Sequence, residues 1–240
     1  MQIIKMIILI PLGGTGNRFK EKNYTLPKAL IEVSGKPILF WLLDNLNTQG
    51  IQFIYIPYNK EYKSYNLEHI LIQRYPDYKF KFLCLENNTR GAAETIHIAL
   101  NEYLSSLIKY PFGFNEVKKD YDCPILCLDS DNFYLNDIIH EWNKENCVFV
   151  FKDLDKNARF SYVIGNNNIE SIVEKEKISD LACTGAYGFS SYFELWENCS
   201  NIILKNIRQK GEFYTSTVIS EMIKTKQFKI KKIANKDYFS

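Results

Sequence analysis

The chain has 240 residues, of which 46% are hydrophobic and 24% charged, the proportions of a soluble globular protein long enough to bury one large core. Lysine plus arginine number 30 and aspartate plus glutamate 28, a formal net charge of +2, which gives no reason to expect nucleic acid or an anionic membrane as a partner. The apolar run Met6 to Leu12 is far too short to span a bilayer, and no small-residue cleavage site follows it; the expected location is the cytoplasm. Cys84, Cys123, Cys127, Cys147, Cys183 and Cys199 form no C-x-x-C pair, and His69, His97 and His140 have no zinc-like spacing. The cysteines are expected to be buried, reduced thiols.

In chain order, Ile3 to Leu12 is a continuous apolar run rich in β-branched residues, as in a buried parallel strand. Gly13-Gly14-Thr15-Gly16 breaks it. Pro37 to Asn47 has helical apolar spacing, and Gly50 stops it. Gln52 to Pro57 reads as a strand, Leu67 to Tyr75 as a helix, Lys79 to Leu85 as a strand and Gly91 to Leu107 as a long helix. Tyr110 to Asp122 is aromatic, charged and irregular, a surface excursion. Pro124 to Leu128 is a further buried strand, Asp137 to Asn143 a helix and Cys147 to Phe151 a strand. Phe160 to Ile164 and Ile169 to Glu174 read as a hairpin about Asn166-Asn167-Asn168. Gly185 to Ser190 and Phe228 to Ile233 are strands; Ser191 to Trp196 and Thr215 to Lys224 are helices. Alternating strands and helices over the first 150 residues predict an α/β fold, a mostly parallel mixed sheet flanked by helices. With no linker, the economical reading is one domain over 1–240, its first part, about 1–150, alternating strands and helices and its later part, about 151–240, richer in strands and hairpins.

The strongest local signal is Leu12-Gly13-Gly14-Thr15-Gly16-Asn17-Arg18-Phe19, directly after the first strand. Small residues let backbone amides approach a phosphate, and Arg18 adds a fixed charge with bidentate geometry. A dinucleotide fingerprint would need a small residue at Phe19, and a P-loop would need Gly-Lys-Ser/Thr. Ser34-Gly35-Lys36 fails as well, because Leu30 and Pro37 stand where glycine and a hydroxyl are required. Leu26-Pro27-Lys28 then offers a lysine behind a fixed backbone.

Gly14-Thr15-Gly16-Asn17-Arg18-Phe19 followed by Pro27-Lys28 resembles the sugar-phosphate nucleotidyltransferases, also called sugar-nucleotide pyrophosphorylases. The resemblance runs on through Thr89-Arg90-Gly91-Ala92-Ala93-Glu94, Leu128-Asp129-Ser130-Asp131-Asn132, Glu174-Lys175, Thr184-Gly185-Ala186-Tyr187 and Gly211-Glu212-Phe213-Tyr214. It is most similar to the branch found with capsule or surface-polysaccharide genes. The resemblance implies a GT-A-like, Rossmann-like fold, an NTP and a phosphorylated small-molecule acceptor as substrates, and Mg²⁺ as cofactor. It implies that Leu12, Gly13, Gly14, Thr15, Gly16, Gly91 and Ala92 bind the nucleotide, that Arg18 holds its β- and γ-phosphates, and that Lys28 neutralises the α-phosphate. Asp131, with Asp129, would hold the metal; Glu174, Lys175, Gly185, Tyr187 and Glu212 would hold the acceptor. Arg18, Lys28 and Asp131 form the implied catalytic set.

The chemistry suits these residue types. An acceptor phosphate is already ionised near neutral pH, so catalysis reduces to positioning and charge neutralisation. Mg²⁺ takes one or two carboxylates plus substrate phosphates, and alternate residues of an extended strand would aim Asp129 and Asp131 at one ion. The family's second metal-binding acid has no counterpart in Thr215-Ser216-Thr217-Val218. The branch usually continues beyond the position of Ser240, so a longer chain with a further domain, or a homo-oligomer, stays open. Three alternatives also stay open: a phosphocholine-like acceptor, a GT-A glycosyltransferase using Asp129-Ser130-Asp131, and a nucleotide-binding subunit without turnover. The base and the acceptor are not legible from side chains alone.

Overall fold

A computed structural model describes residues 6–14, 26–108, 118 and 120–240. Four parallel strands form its first half: β1 (Met6–Leu9), β4 (Ile51–Asn59), β5 (Phe80–Leu85) and β6 (Ile125–Leu128). β1 lies between β4 and β6, and β5 pairs on the far side of β4. Two-residue strands β2 (Glu32–Val33) and β3 (Lys36–Pro37) make a separate hairpin, and β7 (Phe133–Tyr134) pairs with β13 (Tyr238–Phe239). The second half brings β8 (Cys147–Lys152), β9 (Ser161–Gly165), β10 (Ile169–Glu174), β11 (Leu181–Phe189) and β12 (Lys229–Lys232). β11 runs antiparallel to β6, β8 and β9, and β10 closes a hairpin on β9. The nine-stranded sheet is therefore mixed, parallel where helices cross over and antiparallel where hairpins do.

Alternation along the central strands divides the core into two layers. Ile7 and Leu9 of β1, with Ile125 and Cys127 of β6, face the helices α3 (Ala92–Leu107), α5 (Tyr192–Leu204) and α6 (Thr215–Met222). Met6 and Ile8, with Leu126 and Leu128, face α1 (Ile38–Asp44), α2 (Leu67–Arg74) and α4 (Ile138–Trp142). This is why the run reads as continuously apolar: both faces are covered. Each fully buried aliphatic side chain of this kind contributes about 1.5–3 kcal/mol. All six cysteines are free, and five are buried.

The sequence reading differs in detail. β11 begins at Leu181, not Gly185, and α5 runs to Leu204, well past Trp196. Gly185 has φ +86°, so it interrupts a strand that it was expected to start, and the polar Asn198 and Asn201 hide an apolar face that continues through Cys199 and Ile202. Most of the excursion at Tyr110 to Asp122 lies outside the described residues; 118, 120 and 121 are helical. Among the described residues no helix is long and apolar enough to cross a membrane.

Candidate active site

The site gathers at the carboxyl ends of the parallel strands, where open α/β sheets offer a crevice. Leu12 continues β1 as a bridge to Tyr58: its amide donates to the Pro57 carbonyl (2.8 Å), and its carbonyl accepts from the Asn59 amide (2.9 Å). Leu12 is buried and holds the start of the glycine loop in the sheet. Gly13 packs against the first turn of α3. A Cβ there would lie 2.2 Å from Thr95 Oγ1 and 2.8 Å from Thr89 Oγ1, whereas one at Gly14 would meet nothing within 4 Å. Gly14 thus presents open backbone on the side away from the core. Thr15, Gly16 and Arg18 lie outside the described residues.

The Gly91-Ala92 segment is clamped from the other side of the molecule. Gly91, the N-cap of α3, has φ +139°. The Phe213 amide donates to the Arg90 carbonyl and the Phe213 carbonyl accepts from Ala93, both at 2.9 Å. Glu94 reaches back to the Arg90 amide (2.5 Å) and guanidinium (Nε, 2.9 Å). These contacts satisfy helix-end amides and hold the Glu94 carboxyl below its ordinary pKa, desolvation opposing the Arg90 hydrogen bonds. Ala92 is half-buried at the start of the helix.

Lys28 begins a short 3₁₀ helix (Lys28–Leu30) behind Pro27, and its ammonium pairs with the Asp131 carboxylate, 103 residues away in sequence. Both side chains keep about a third of their surface open, 37% and 35%. The Ala29 amide donates to the Tyr62 hydroxyl (3.4 Å), tying this helix to the wall beside Asp131.

Asp129 and Asp131 come together, though not by strand alternation. β6 ends at Leu128, and the two acids lie in the turn that follows. The Asp129 amide donates to the Gly185 carbonyl (2.8 Å). A Cβ on Gly185 would stand 2.5 Å from Asn132 Nδ2 and 2.6 Å from Asp129 Oδ2. Burial first, then repulsion from Asp131 and Glu174, pushes the Asp129 carboxyl up to about 8, with Lys28 opposing. Asn132 is buried; its Nδ2 donates to the Thr184 carbonyl (2.7 Å), which leaves Oδ1 without a partner. No group of three or more His, Cys, Asp or Glu side chains that could hold a metal forms among the described residues. Asp129, Asp131 and the orphaned Asn132 oxygen are a hard, oxygen-only set. It suits a cation that takes its remaining ligands from phosphates and water.

Glu174 and Lys175, in a charged stretch that could have been merely solvated, are not. The Glu174 carboxylate is buried, accepts from Ser216 Oγ (2.9 Å) and Ser161 Oγ, and stands 3.9 Å from the Lys175 ammonium. Its amide donates to Gln209 Oε1 (2.7 Å). Lys175 has φ +51°, and its ammonium donates to the Tyr214 hydroxyl and sits 4.6 Å from that ring's centroid. Burial above all holds the Tyr187 phenol well above its ordinary pKa, with Cys183, Asp129 and Glu174 adding to it. Tyr187 is otherwise a core residue of β11, and Gly185 serves close approach of backbone and acid. Glu212 is exposed, in a turn whose backbone pairs reciprocally with Gln209 (3.0 and 3.1 Å).

Sequence reasoning gave no role to Ser161, Ser216, Gln209, Thr89 and Thr95, although Thr89 and Ser216 stand in stretches that it singled out. Ser161 was accessible in principle: the hairpin about Asn166-Asn168 sets it directly across from Glu174. The others meet the site only through tertiary packing.

The profile of the family described as Nucleotidyl transferase matches residues 5–231. The UTP--glucose-1-phosphate uridylyltransferase AglF of Haloferax volcanii is 24% identical over 233 residues, covering 92% of this chain and 84% of AglF. Among solved structures, the nucleoside-diphosphate-sugar pyrophosphorylase of Vibrio cholerae RC9 aligns with a TM-score of 0.76 and 21% identity, over 96% of this chain and 93% of the neighbour. The inositol-1-phosphate CTP transferase of T. maritima aligns with a TM-score of 0.68 and 14% identity, over 97% and 87%. At these identities the structural likeness establishes the fold.

Proposed function

The chain belongs to the nucleotidyl transferase family, and from that premise we propose that it transfers NMP from an NTP to a sugar 1-phosphate, releasing pyrophosphate and a nucleotide-sugar. The single observation that carries the reading is geometric: the Lys28 ammonium pairs with Asp131 in the turn after β6, and the buried Glu174 carboxylate stands 3.9 Å from the Lys175 ammonium. An acid that accepts hydroxyl hydrogen bonds thus stands beside a lysine, the pairing that an acceptor bearing both hydroxyls and a phosphate requires. AglF, by its name a uridylyltransferase acting on glucose 1-phosphate, supports the same acceptor class.

In this reading an oxygen of the acceptor phosphate forms a bond to the α-phosphorus as the bond from that phosphorus to the bridging oxygen of pyrophosphate breaks. No proton need move, because the attacking oxygen is already an anion. The backbone of Leu12, Gly13, Gly14, Thr15 and Gly16, with Gly91 and Ala92, seats the nucleotide. Arg18 holds the departing phosphates, and Lys28 leaves Asp131 for the α-phosphate as charge develops there. Lys175 exchanges the Tyr214 hydroxyl for the acceptor phosphate, and Glu174 accepts from acceptor hydroxyls. Gly185 of β11 and the turn carrying Glu212 close that side, Tyr187 backing it from the core. A bound Mg²⁺ would supply charge neutralisation between the two anions, and Asp131, Asp129 and Asn132 Oδ1 are the residues present to hold it. The product would be a sugar donor for surface polysaccharide made in the cytoplasm.

The test is pyrophosphate release with Mg²⁺, four NTPs screened against sugar 1-phosphates and phosphocholine. Release that needs one NTP and one sugar 1-phosphate, and is lost in Arg18→Ala and Asp131→Ala, supports the reading. Release with phosphocholine alone replaces the acceptor, and NTP binding without release from any pair replaces the reaction.

A further inference from the structure

The Glu174 carboxylate is used unequally. Its Oε2 accepts from two hydroxyls, Ser161 on β9 and Ser216 in the first turn of α6, while Oε1 faces the Lys175 ammonium at 3.9 Å. The two serines come from opposite directions. Ser161 is the cross-strand partner of Glu174 in the β9–β10 hairpin, whereas α6 packs on β10 from the helical layer. Both serines are buried, at 5% and 1% exposure. The Gln209 side chain fixes the Glu174 backbone from a third side. A carboxylate held at one oxygen from two sides cannot rotate about its terminal torsion, which is otherwise broad and two-fold.

We propose that Ser161 and Ser216 are positioning residues for acceptor recognition: by occupying Oε2 they present Oε1 of Glu174, in one orientation, to an acceptor hydroxyl beside Lys175. This rests on the reading of Glu174 as an acceptor ligand. It also accounts for hydroxyl residues at the start of α6, at a place where a carboxylate would repel Glu174. Serine at this place donates to Oε2 and leaves Oε1 of Glu174 to accept.

The experiment measures KM for acceptor and NTP separately, with kcat, in wild type, Ser161→Ala, Ser216→Ala, Ser161→Thr, Ser216→Thr and Glu174→Gln, with Tm recorded for each. Each alanine variant should raise acceptor KM on the order of tenfold, as loss of a hydrogen bond to a charged group does, and leave NTP KM within about twofold. The threonine variants, which keep the hydroxyl, should restore acceptor KM even where the added methyl lowers Tm. An alanine variant that lowers Tm but leaves acceptor KM at the wild-type value overturns the proposal and makes the serines structural. A parallel rise in both KM values overturns it too. Wild-type silence with every acceptor, by contrast, overturns the reading of Glu174 on which the proposal rests.

Discussion

Gly185 lets the Asp129 side chain approach its backbone as no residue with a Cβ could. The Asp129 amide donates to the Gly185 carbonyl at 2.8 Å, and the aspartate side chain fills the space where a Cβ would stand. Gly185 also has φ +86°. Gly185→Ala therefore combines left-handed strain with a clash against a carboxylate oxygen and Asn132. It is expected to destabilise the fold by about 2–4 kcal/mol and to raise the metal concentration needed for turnover. Denaturant unfolding checks the first effect and a Mg²⁺ titration of the rate the second. An alanine variant of wild-type stability would refute the close approach.

The raised Asp129 carboxyl makes a pH prediction. Its pKa is about 8 in the fold and near 3.8 when unfolded. Between those values the native state holds a proton that the unfolded chain has released. Stability from this group is therefore fully present below about pH 4 and is lost as pH rises through 8. Asp129→Asn should remove that slope and raise stability near pH 8 by on the order of 1–3 kcal/mol, while weakening Mg²⁺ dependence. Metal binding by the wild type should tighten as pH rises toward 8, since proton and cation compete for the same oxygens. Unfolding curves from pH 5 to 9 with identical slopes in both proteins would contradict the assignment.

The Lys28–Asp131 ion pair sets a third expectation. Lys28→Ala should lower kcat by about 10²–10³-fold, the usual effect of removing one group that stabilises transition-state charge. Lys28→Arg should recover little of it, since a guanidinium fork does not reproduce a compact ammonium. Because the pair is partly exposed, its loss should change Tm little. Single-turnover kinetics with saturating NTP separate chemistry from binding, and a Lys28→Ala kcat within about threefold of wild type would remove Lys28 from the mechanism.

Gly91 sits where the start of α3 meets the backbone of Phe213. A Cβ there would lie 2.4 Å from the Phe213 carbonyl oxygen and 2.7 Å from its amide nitrogen, both backbone atoms that cannot swing aside. Gly91→Ala is expected to cost about 2–4 kcal/mol, lowering Tm by about 4–16 °C for a chain of this size. NTP and acceptor KM should both rise, because one clamp carries Ala92 on one side and the turn of Glu212 on the other. Thermal unfolding and two-substrate kinetics test the two parts.

Local sequence determined the parallel half of the sheet and the loop that opens the site. Continuous apolar runs such as Met6 to Leu12 can be satisfied only by a strand covered on both faces, and of the glycines that follow, Gly13 allows close packing against α3 while Gly14 leaves open backbone. Periodicity likewise marked α1, α2 and α3, because one helix face must be apolar to bury. What chain order could not decide was which polar groups meet. Asp129 is raised first by burial, then by Asp131 and by Glu174, 45 residues onward. Lys28 reaches Asp131 across 103 positions. Ser216 reaches Glu174 from a helix, and Gln209 from a turn. Hydrophobic period is a local property, written in each segment by the face it must bury. The partner of a buried charge is whatever the packed layers bring within hydrogen-bond distance, and only the tertiary structure chooses it.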